Sequence, residues 1–590
     1  MTSISMIGKL TTMFSRAFES CGLDPRLSRV IISDRPDLGQ FQCNGALAAA
    51  RSEKKNPKAI AEAVIEALQD RQIFSDISIA GAGFINLTLT DAFLASHMEE
   101  MAGDDRLGCA KTSQPRNVVI DFGGPNVAKP MHVGHLRSTI IGGCLQRLLR
   151  FTGENVTSDI HLGDWGLQMG MLICELRRRQ PELPYFDVSY AGPYPDKTPV
   201  TIDDLEEMYP VASARCKGDE KEMEAARTAT AELQQGRPGY RALWNHFVNV
   251  SVNALKDDFG KLGVSFDLWR GESYYNDRLP GMIEQLKERG HARVSEGAVV
   301  IPVSSPSDKK EVPPLILEKS EGGYLYGTTD LATIEERTGE LHADLVLYVV
   351  DKRQHLHFEQ VFRAARIVSF ARNAGLEHIA FGTMNGPDGK PFKTRAGGVM
   401  KLKDLISMVT ENALVRMREN RIAEDFDEAE RQGIARQVGI ATLKFADLGN
   451  HRTSDYVFDV ASFSRFEGRT GPYLLYTAVR IKSILRKAKD EGLNPGPILA
   501  PTVPVERELM LNLSWLPEKI RNASAERSPN YLCDFVYTLA QVFSRFYQQC
   551  HILSEKDPAV QSSWLALSQL CLSELELVLS LLGMNVPERM

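Results

Sequence analysis

Several things are scarce in this sequence, and each scarcity removes a class of protein. No two of the nine cysteines (Cys21, Cys43, Cys109, Cys144, Cys174, Cys216, Cys533, Cys550, Cys571) stand at C-x-x-C spacing, which argues against a structural zinc site; no tightly bound protein metal is expected. Cysteines so scattered in a long chain suit a reducing compartment. No run approaches the ~20 apolar residues of a membrane span. The N-terminus mixes Ser and Thr with Met and Ile and has no sustained apolar core for a signal peptide. A cytoplasmic protein with no membrane partner is the expectation. Positive charge is not in excess either: 69 Lys+Arg against 76 Asp+Glu leave a net charge of −7. A general polyanion binder would be basic, so any nucleic-acid contact must come from local patches. No G-x-x-x-x-G-K-[ST] loop appears near a strand, which turns the reading away from P-loop γ-phosphoryl transfer.

What is present begins with length. The 590 residues exceed what one core can organise, so three or four domains are expected. Residues 1–112 read as a small α/β module: Met6 to Phe18 and Pro57 to Leu68 carry apolar residues at helical spacing, and Ile77 to Leu89 alternates like two strands around Gly81 and Gly83. A folding appendage and a binding module fit this region equally. Residues 113–454 read as a strand–helix domain. An irregular stretch containing Pro181, Pro184, Pro193, Pro195 and Pro199, followed by charged helices from the capping box at Thr201–Asp204 to about Lys261, makes about 180–300 look inserted between its strands. Residues 455–590 read as helices without strands, with Phe535, Leu539, Val542 and Phe546 on one face and a closing helix from Leu567 to Leu582 stopped by Gly583.

The stretch from Pro125 to Ser138 holds the chemistry. The apolar run Val118-Val119-Ile120 reads as a buried strand, and residues 138–149 are apolar at helical spacing. His132 and His135 therefore sit where a strand hands over to a helix, outside a strand's carboxyl end, where open α/β sheets bind ligands. A helix starting there presents unpaired N–H groups and its positive dipole end to an anion. The histidines, at i and i+3, face one side and offer donors to phosphate oxygens. Gly134 between them leaves room for a flat base against the backbone. Full positive charge comes from Lys129 and from Lys393 and Arg395 in a glycine-rich loop over residues 384–398, which reads either as a phosphate lid or as a solvated basic turn. Such donors favour attack on an α-phosphate with loss of pyrophosphate, provided the nucleophile is already a carboxylate.

Other strand ends carry candidate residues. Val156 to Leu162 reads as a strand ending in Gly163-Asp164-Trp165-Gly166, either a tight turn on a core tryptophan or a close backbone approach to a ligand. Leu345 to Val350 reads as a strand buried on both faces, and Ile379 to Gly382 as one more. Gly323 to Ala332 returns to strand-then-helix, with Asp330 in the helix's first turn. Tyr473 to Arg480 combines aromatic and basic residues that stack bases or simply fill a core.

These residues resemble the class I aminoacyl-tRNA synthetases, and among them the arginyl enzymes. His132-Val133-Gly134-His135 matches the HIGH motif, and Pro125-Asn126-Val127-Ala128-Lys129 before it is distinctive of the arginine family. The resemblance also covers Phe41–Ala46, Gly83–Leu87, Phe466–Tyr473 and the ending Val586–Met590. It implies a Rossmann-type parallel-sheet catalytic core with insertions, an N-terminal domain at the tRNA corner and a helical anticodon-binding bundle. It implies L-arginine, ATP with Mg²⁺, and tRNA(Arg) as ligands, activation that needs bound tRNA, and a monomer. Lys129, His132, His135, Lys393 and Arg395 would be catalytic; Pro125, Asn126, Gly134 and Phe392 would join His132, His135 and Lys393 around ATP. Asn126, Asp159, His161, Tyr326, Asp330 and Gln354 would line the arginine pocket, where Asp330 suits a bidentate guanidinium contact. Tyr473, Tyr476 and Met590 would meet tRNA.

Two departures stand out. The KMSKS loop is degenerate, Phe392-Lys393-Thr394-Arg395, and Lys129 is expected to compensate. Ile160 stands where many relatives have Asn, so either Asp159 or His161 covers that role or the pocket is arranged differently. Other readings of the residues remain: another class I synthetase, a small nucleotidylyltransferase, or a catalytically silent tRNA-binding paralogue.

Overall fold

The computed structural model describes residues 5–320, 322–390, 392 and 400–590. They form two compact units, one of residues 113–412 and 446–463, the other of residues 1–112, 413–445 and 464–590.

The first unit is built on five parallel strands: β1 (Asn117–Asp121), β2 (Asn155–Leu162), β3 (Leu268–Gly271), β4 (Leu345–Tyr348) and β5 (Gly375–His378), in the order β5-β4-β1-β2-β3. Consecutive residues Val118, Val119 and Ile120 of β1 and all four residues of β4 are buried, so both faces of the sheet are covered at its centre. The chain runs from β1 outward to β3, then returns to the other side of β1 as β4. That reversal opens a crevice between the carboxyl ends of β1 and β4. Helix α1 (Val133–Phe151) starts in the crevice. The Ser138 hydroxyl donates to Val349 O at 2.7 Å and accepts from Gly123 N–H at 2.8 Å, which ties α1 to the ends of both strands.

Helices α2 (Leu167–Arg179), α3 (Ile202–Gly218), α4 (Glu220–Gln234) and α5 (Pro238–Lys261) fill the stretch before β3. Helix α3 opens in the expected capping box, Thr201 N–H donating to the Asp204 carboxylate at 2.7 Å and Asp204 N–H to Thr201 Oγ1 at 3.2 Å. Because β3 belongs to the main sheet, the helical excursion occupies residues 180–267 and ends before 300. After β3 come α6 (Glu272–Asn276), a separate three-stranded antiparallel sheet (Arg293–Ser295, Ala298–Ile301, Leu315–Glu318), α7 (Tyr326–Gly339) and α8 (His355–Ile367). The strand expected at Ile379–Gly382 forms four residues earlier, as β5. Pairing continues irregularly beyond it: Ile379 N–H donates to Tyr348 O at 2.8 Å and Phe381 N–H to Val350 O at 3.3 Å, so the expected residues extend the end of β5 as an isolated bridge and not as a separate strand.

In the other unit, Val30–Ile32, Phe41–Cys43, Phe84–Leu89 and Phe74–Ala80 make a four-stranded antiparallel sheet in that spatial order. Gly81 and Gly83, at φ 56° and 137°, turn its last hairpin. The C-terminal part is helical: Gly471–Asp490, Pro504–Leu513, Leu516–Glu526, Asn530–Gln549 and Pro558–Leu581. Phe535, Leu539, Val542 and Phe546 are all buried along one helix. Pro558–Leu581 is long and apolar enough to cross a bilayer, but 67% of its most apolar window is buried within the protein. The chain passes between the two units after residues 112, 412, 445 and 463. Tyr456–Val457, in the stretch expected to be helical, pairs as a two-residue strand with Met384–Asn385 of the same unit.

Candidate active site

The crevice is lined first by backbone. Beyond β1 the chain turns at Gly123 and Gly124 (φ 91° and 44°), then runs beside the end of β2. Val127 N–H donates to Gly163 O at 3.0 Å and Gly163 N–H to Pro125 O at 3.2 Å. A Cβ on Gly163 would lie 2.2 Å from Asn126 Oδ1, so only glycine lets the Asn126 amide sit there. At the Gly163–Gly166 stretch the close approach made by Gly163 is to the Asn126 side chain, and Trp165 is a buried tryptophan set edge-on to Trp244 at 5.1 Å.

His132 caps α1. Its Nδ1 accepts from Gly134 N–H at 3.0 Å, and His135 Nδ1 accepts from His132 N–H at 3.2 Å. Because both Nδ1 atoms are acceptors, a neutral ring must carry its proton on Nε2. Burial and the Lys129 charge push His132 below the usual histidine range. Burial, then His132 and Lys129, push His135 down to about 3. At neutral pH the pair is therefore two uncharged Nε2–H donors 4.0 Å apart between ring centroids, and the nearby full charge belongs to Lys129. Gly134 was expected to admit a nucleobase. The space its Cβ would take is instead filled by the His132 ring, at 2.7 and 2.8 Å, so glycine serves the fold-back of that imidazole. Phe392 packs against Phe458, with ring centroids at 5.9 Å; Lys393 and Arg395 lie outside the described residues.

The connection that leads from β1 to the histidine turn lines, through Gly124 and Asn126, a cavity of about 370 Å³, within the range for a small-molecule site. Asn126, His161, Tyr326, Asp330 and Gln354 line it, together with Asp121, Glu272, Tyr348 and His357. Residues far apart in sequence meet because each follows a strand end or opens a helix at the same crevice. Asp330 stands in the second turn of α7, not the first, since the helix begins at Tyr326. Its Oδ2 is 2.6 Å from His357 Nε2. Burial works against protonation of His357, but the hydrogen bond and charge of Asp330 outweigh it and hold its pKa above the usual value. One oxygen of Asp330 is thus already engaged, leaving the other for a ligand unless His357 yields.

Asp159 does not line this cavity. Its side chain is completely buried and accepts from Arg337 Nη2 at 2.8 Å, while the same guanidinium donates to Asp121 Oδ2 at 2.7 Å. Asp159 neutralises a buried cation beneath the wall, and His161, two residues on, is the one that reaches the cavity. Ile160 is fully buried on the opposite face of β2, because successive strand side chains alternate. A side chain at 160 faces away from the cavity, so the departure from Asn costs no contact there.

Glu272 escaped the sequence reading. It opens α6 at the end of β3, a strand hidden inside the apparent insertion. Burial, then the charges of Asp164 and Asp330, raise its pKa to about 7. The alternation of Leu268-Trp269-Arg270-Gly271 before an acidic residue was the only available signal.

In the other unit, Tyr473 and Tyr476 share a small hollow with Arg480, Phe543 and Tyr547. Arg480 lies over the Tyr547 ring at 4.4 Å and leads into a groove of about 300 Å³ with His551 and Ser554. Met590 lines neither. The chain end is anchored by Glu588, whose carboxylate accepts from Lys482 Nζ at 2.9 Å.

A reversing parallel sheet, two neutral histidine donors at the start of the helix after its first strand, and an acidic cavity alongside define the catalytic core of a class I aminoacyl-tRNA synthetase. The family model for the catalytic domain of class I tRNA synthetases (R) matches residues 97–460, an arginyl-tRNA synthetase N-terminal domain matches 8–89, and a DALR anticodon-binding domain matches 474–590. The arginine–tRNA ligases of Maricaulis maris and Alkaliphilus oremlandii are 52% and 50% identical over 587 residues, covering 99% of this chain and 100% of theirs. The crystal structure of arginyl-tRNA synthetase from Plasmodium falciparum superposes with a TM-score of 0.80 at 27% identity, covering 100% of both chains. That of Thermus thermophilus arginyl-tRNA synthetase shares the fold, with a TM-score of 0.79 at 22% identity over 99% of this chain and 100% of its own. The chain belongs to the arginyl-tRNA synthetase family.

Proposed function

We propose that the crevice joins arginine to its tRNA in two steps. The α-carboxylate of L-arginine attacks the α-phosphorus of ATP, the bond to the β-phosphate oxygen breaks, and arginyl-adenylate and diphosphate form. A hydroxyl of the terminal ribose of tRNA(Arg) then attacks the activated carbonyl and AMP leaves. The observation that carries this reading is an acidic cavity lined by the same β1-to-helix connection, Gly124 and Asn126, that leads to a phosphate-type helix start. Asp330 and Glu272 offer two carboxylates to a guanidinium, with Tyr326 beside them, while Asn126, His161 and Gln354 take the amino-acid end. His132 and His135 donate from Nε2 to phosphate oxygens, and Lys129 supplies charge where the transition state gains it. Lys393 and Arg395 are proposed to add charge for the diphosphate, with Phe392 and Pro125 contributing to the ATP site and Gly134 acting there through the His132 ring it accommodates. Among the described residues no cluster of three or more His, Cys, Asp or Glu suits a metal. Mg²⁺ is proposed only as the companion of ATP, held by phosphate oxygens and water.

Residues 1–112 are proposed to meet the outer corner of tRNA, and residues 455–590 its anticodon, through Tyr473, Tyr476 and Met590 and the neighbouring Arg480–Tyr547 pair. A monomer in the cytoplasm is proposed, in keeping with nine cysteines that form no disulfide. Charging of total tRNA with each of the twenty amino acids tests the whole reading: arginine alone is incorporated, and pyrophosphate exchange requires tRNA. Efficient exchange with another amino acid rejects it.

The raised pKa of Glu272 gives arginine binding a pH dependence. A guanidinium pairs with a carboxylate, so affinity is full above about 7 and is lost as Glu272 protonates below it. Arginine is expected to bind about tenfold more tightly at pH 8 than at pH 6. Equilibrium dialysis against pH checks this, and Glu272→Gln should give a weak, flat profile.

A further inference from the structure

The charge assigned to Lys129 sits on a long flexible stem, and the helical excursion holds both the backbone just before it and the ammonium at its end. Ala128, immediately before it, adopts φ 62°, a left-handed conformation that a residue with a Cβ rarely takes without support. The support is a hydrogen bond from Ala128 N–H to Ser251 Oγ of α5 at 3.0 Å, with both residues buried. The Lys129 ammonium itself lies 4.5 Å from the centroid of the Tyr209 ring on α3. That ring is packed against the apolar cluster of Met171, Ala212, Cys216 and Ala226, so its place is fixed by a core. In this position the ammonium is close enough to lower the basicity of both His132 and His135. One turn earlier on α3, Glu206 bonds Lys401 Nζ at 2.6 Å. The neighbouring backbone pairs with the histidine turn, Val133 N–H to Met400 O at 3.0 Å and Leu402 N–H to Met131 O at 2.8 Å. One face of α3 therefore holds both sides of the phosphate site.

We propose that Tyr209 is a positioning residue for adenylation, holding the Lys129 ammonium at the His132–His135 site through the face of its ring. This rests on the reading that Lys129 serves the α-phosphate. The ring faces one side of the ammonium, and the remaining N–H donors are left for phosphate oxygens. Without the ring the stem samples water, and the charge must be ordered during the reaction rather than before it.

The test is a double-mutant cycle on the rate of arginyl-adenylate formation in a single turnover with tRNA present. Tyr209→Leu should slow the step by about threefold to tenfold, the range of a partly buried cation–π contact, with the KM for arginine unchanged. Tyr209→Phe, which keeps the ring, should recover most of the rate. In a Lys129→Met background, Tyr209→Leu should have no further effect. Tyr209→Met gives a second non-aromatic variant if Leu disturbs the α3 core. The His132 imidazole provides a readout independent of rate: its pKa should rise in both Tyr209→Leu and Lys129→Met. An equal loss from Tyr209→Leu with or without Lys129 would make the ring merely structural and overturn the proposal, as would full activity of Tyr209→Leu. If Lys129→Met alone leaves the rate unchanged, the assignment of Lys129 fails first.

Discussion

Asp330→Asn is expected to lower kcat/KM for arginine by about a thousandfold while the protein stays folded. Asp330 lies on the wall of the 370 Å³ cavity with its Oδ2 already 2.6 Å from His357. A guanidinium entering there gives up water and needs a fixed anion in return. Replacing the carboxylate by an amide removes the charge and leaves one donor group facing another, which costs about 3–5 kcal/mol for a desolvated charge pair. Each 1.4 kcal/mol is about tenfold, hence the estimate. The loss should fall on arginine and not on ATP, so the KM for ATP is the internal control. His357 supplies a second check: it owes its raised pKa to Asp330, so in the variant it should titrate below the ordinary histidine value as burial acts unopposed. A variant with wild-type kcat/KM would show that the guanidinium binds elsewhere.

Lys129→Ala should reduce adenylate formation by about a hundredfold and leave tRNA binding intact. The histidines are neutral donors, the nearby Lys401 ammonium is bonded to Glu206, and Lys129 is the cation whose charge acts on both rings. Removing one preorganised donor from a developing oxyanion costs about 3 kcal/mol, and here the donor is charged. The effect belongs in the chemical step, since charge grows on the α-phosphate oxygens only as the attack proceeds. The tRNA surfaces proposed above belong to the other unit, so tRNA binding should not change. Single-turnover formation of arginyl-adenylate and a filter-binding isotherm for tRNA separate the two. Adenylation that proceeds normally without Lys129 would move the burden to Lys393 or Arg395.

How much of this was legible in the sequence depends on whether the information was local. The strand Asn117–Asp121 and the helix after it could be read because apolar periodicity and the histidine spacing are properties of neighbouring residues. The capping box at Thr201 and the hairpin at Gly81–Gly83 were readable for the same reason. The strand Leu268–Gly271 was not: it is four residues long and sits among helices, and with it went Glu272. Asp159 was expected in the pocket and the effect of Ile160 stayed open, because alternation tells which residues share a face of a strand, not what covers that face. Here a buried guanidinium, Arg337, covers one side and the core the other.

By itself the sequence determined the family, the order of its regions, the histidine turn and Asp330 as a candidate acidic residue, since motif spacing and residue chemistry survive without coordinates. Only the tertiary structure decided that both histidines present Nε2 protons, that Glu272 joins Asp330 while Asp159 is spent on Arg337, and that Tyr209 from the helical excursion faces Lys129. Each of those depends on groups brought together from distant parts of the chain, where burial and neighbouring charge set protonation and reach. Linear spacing contains neither quantity.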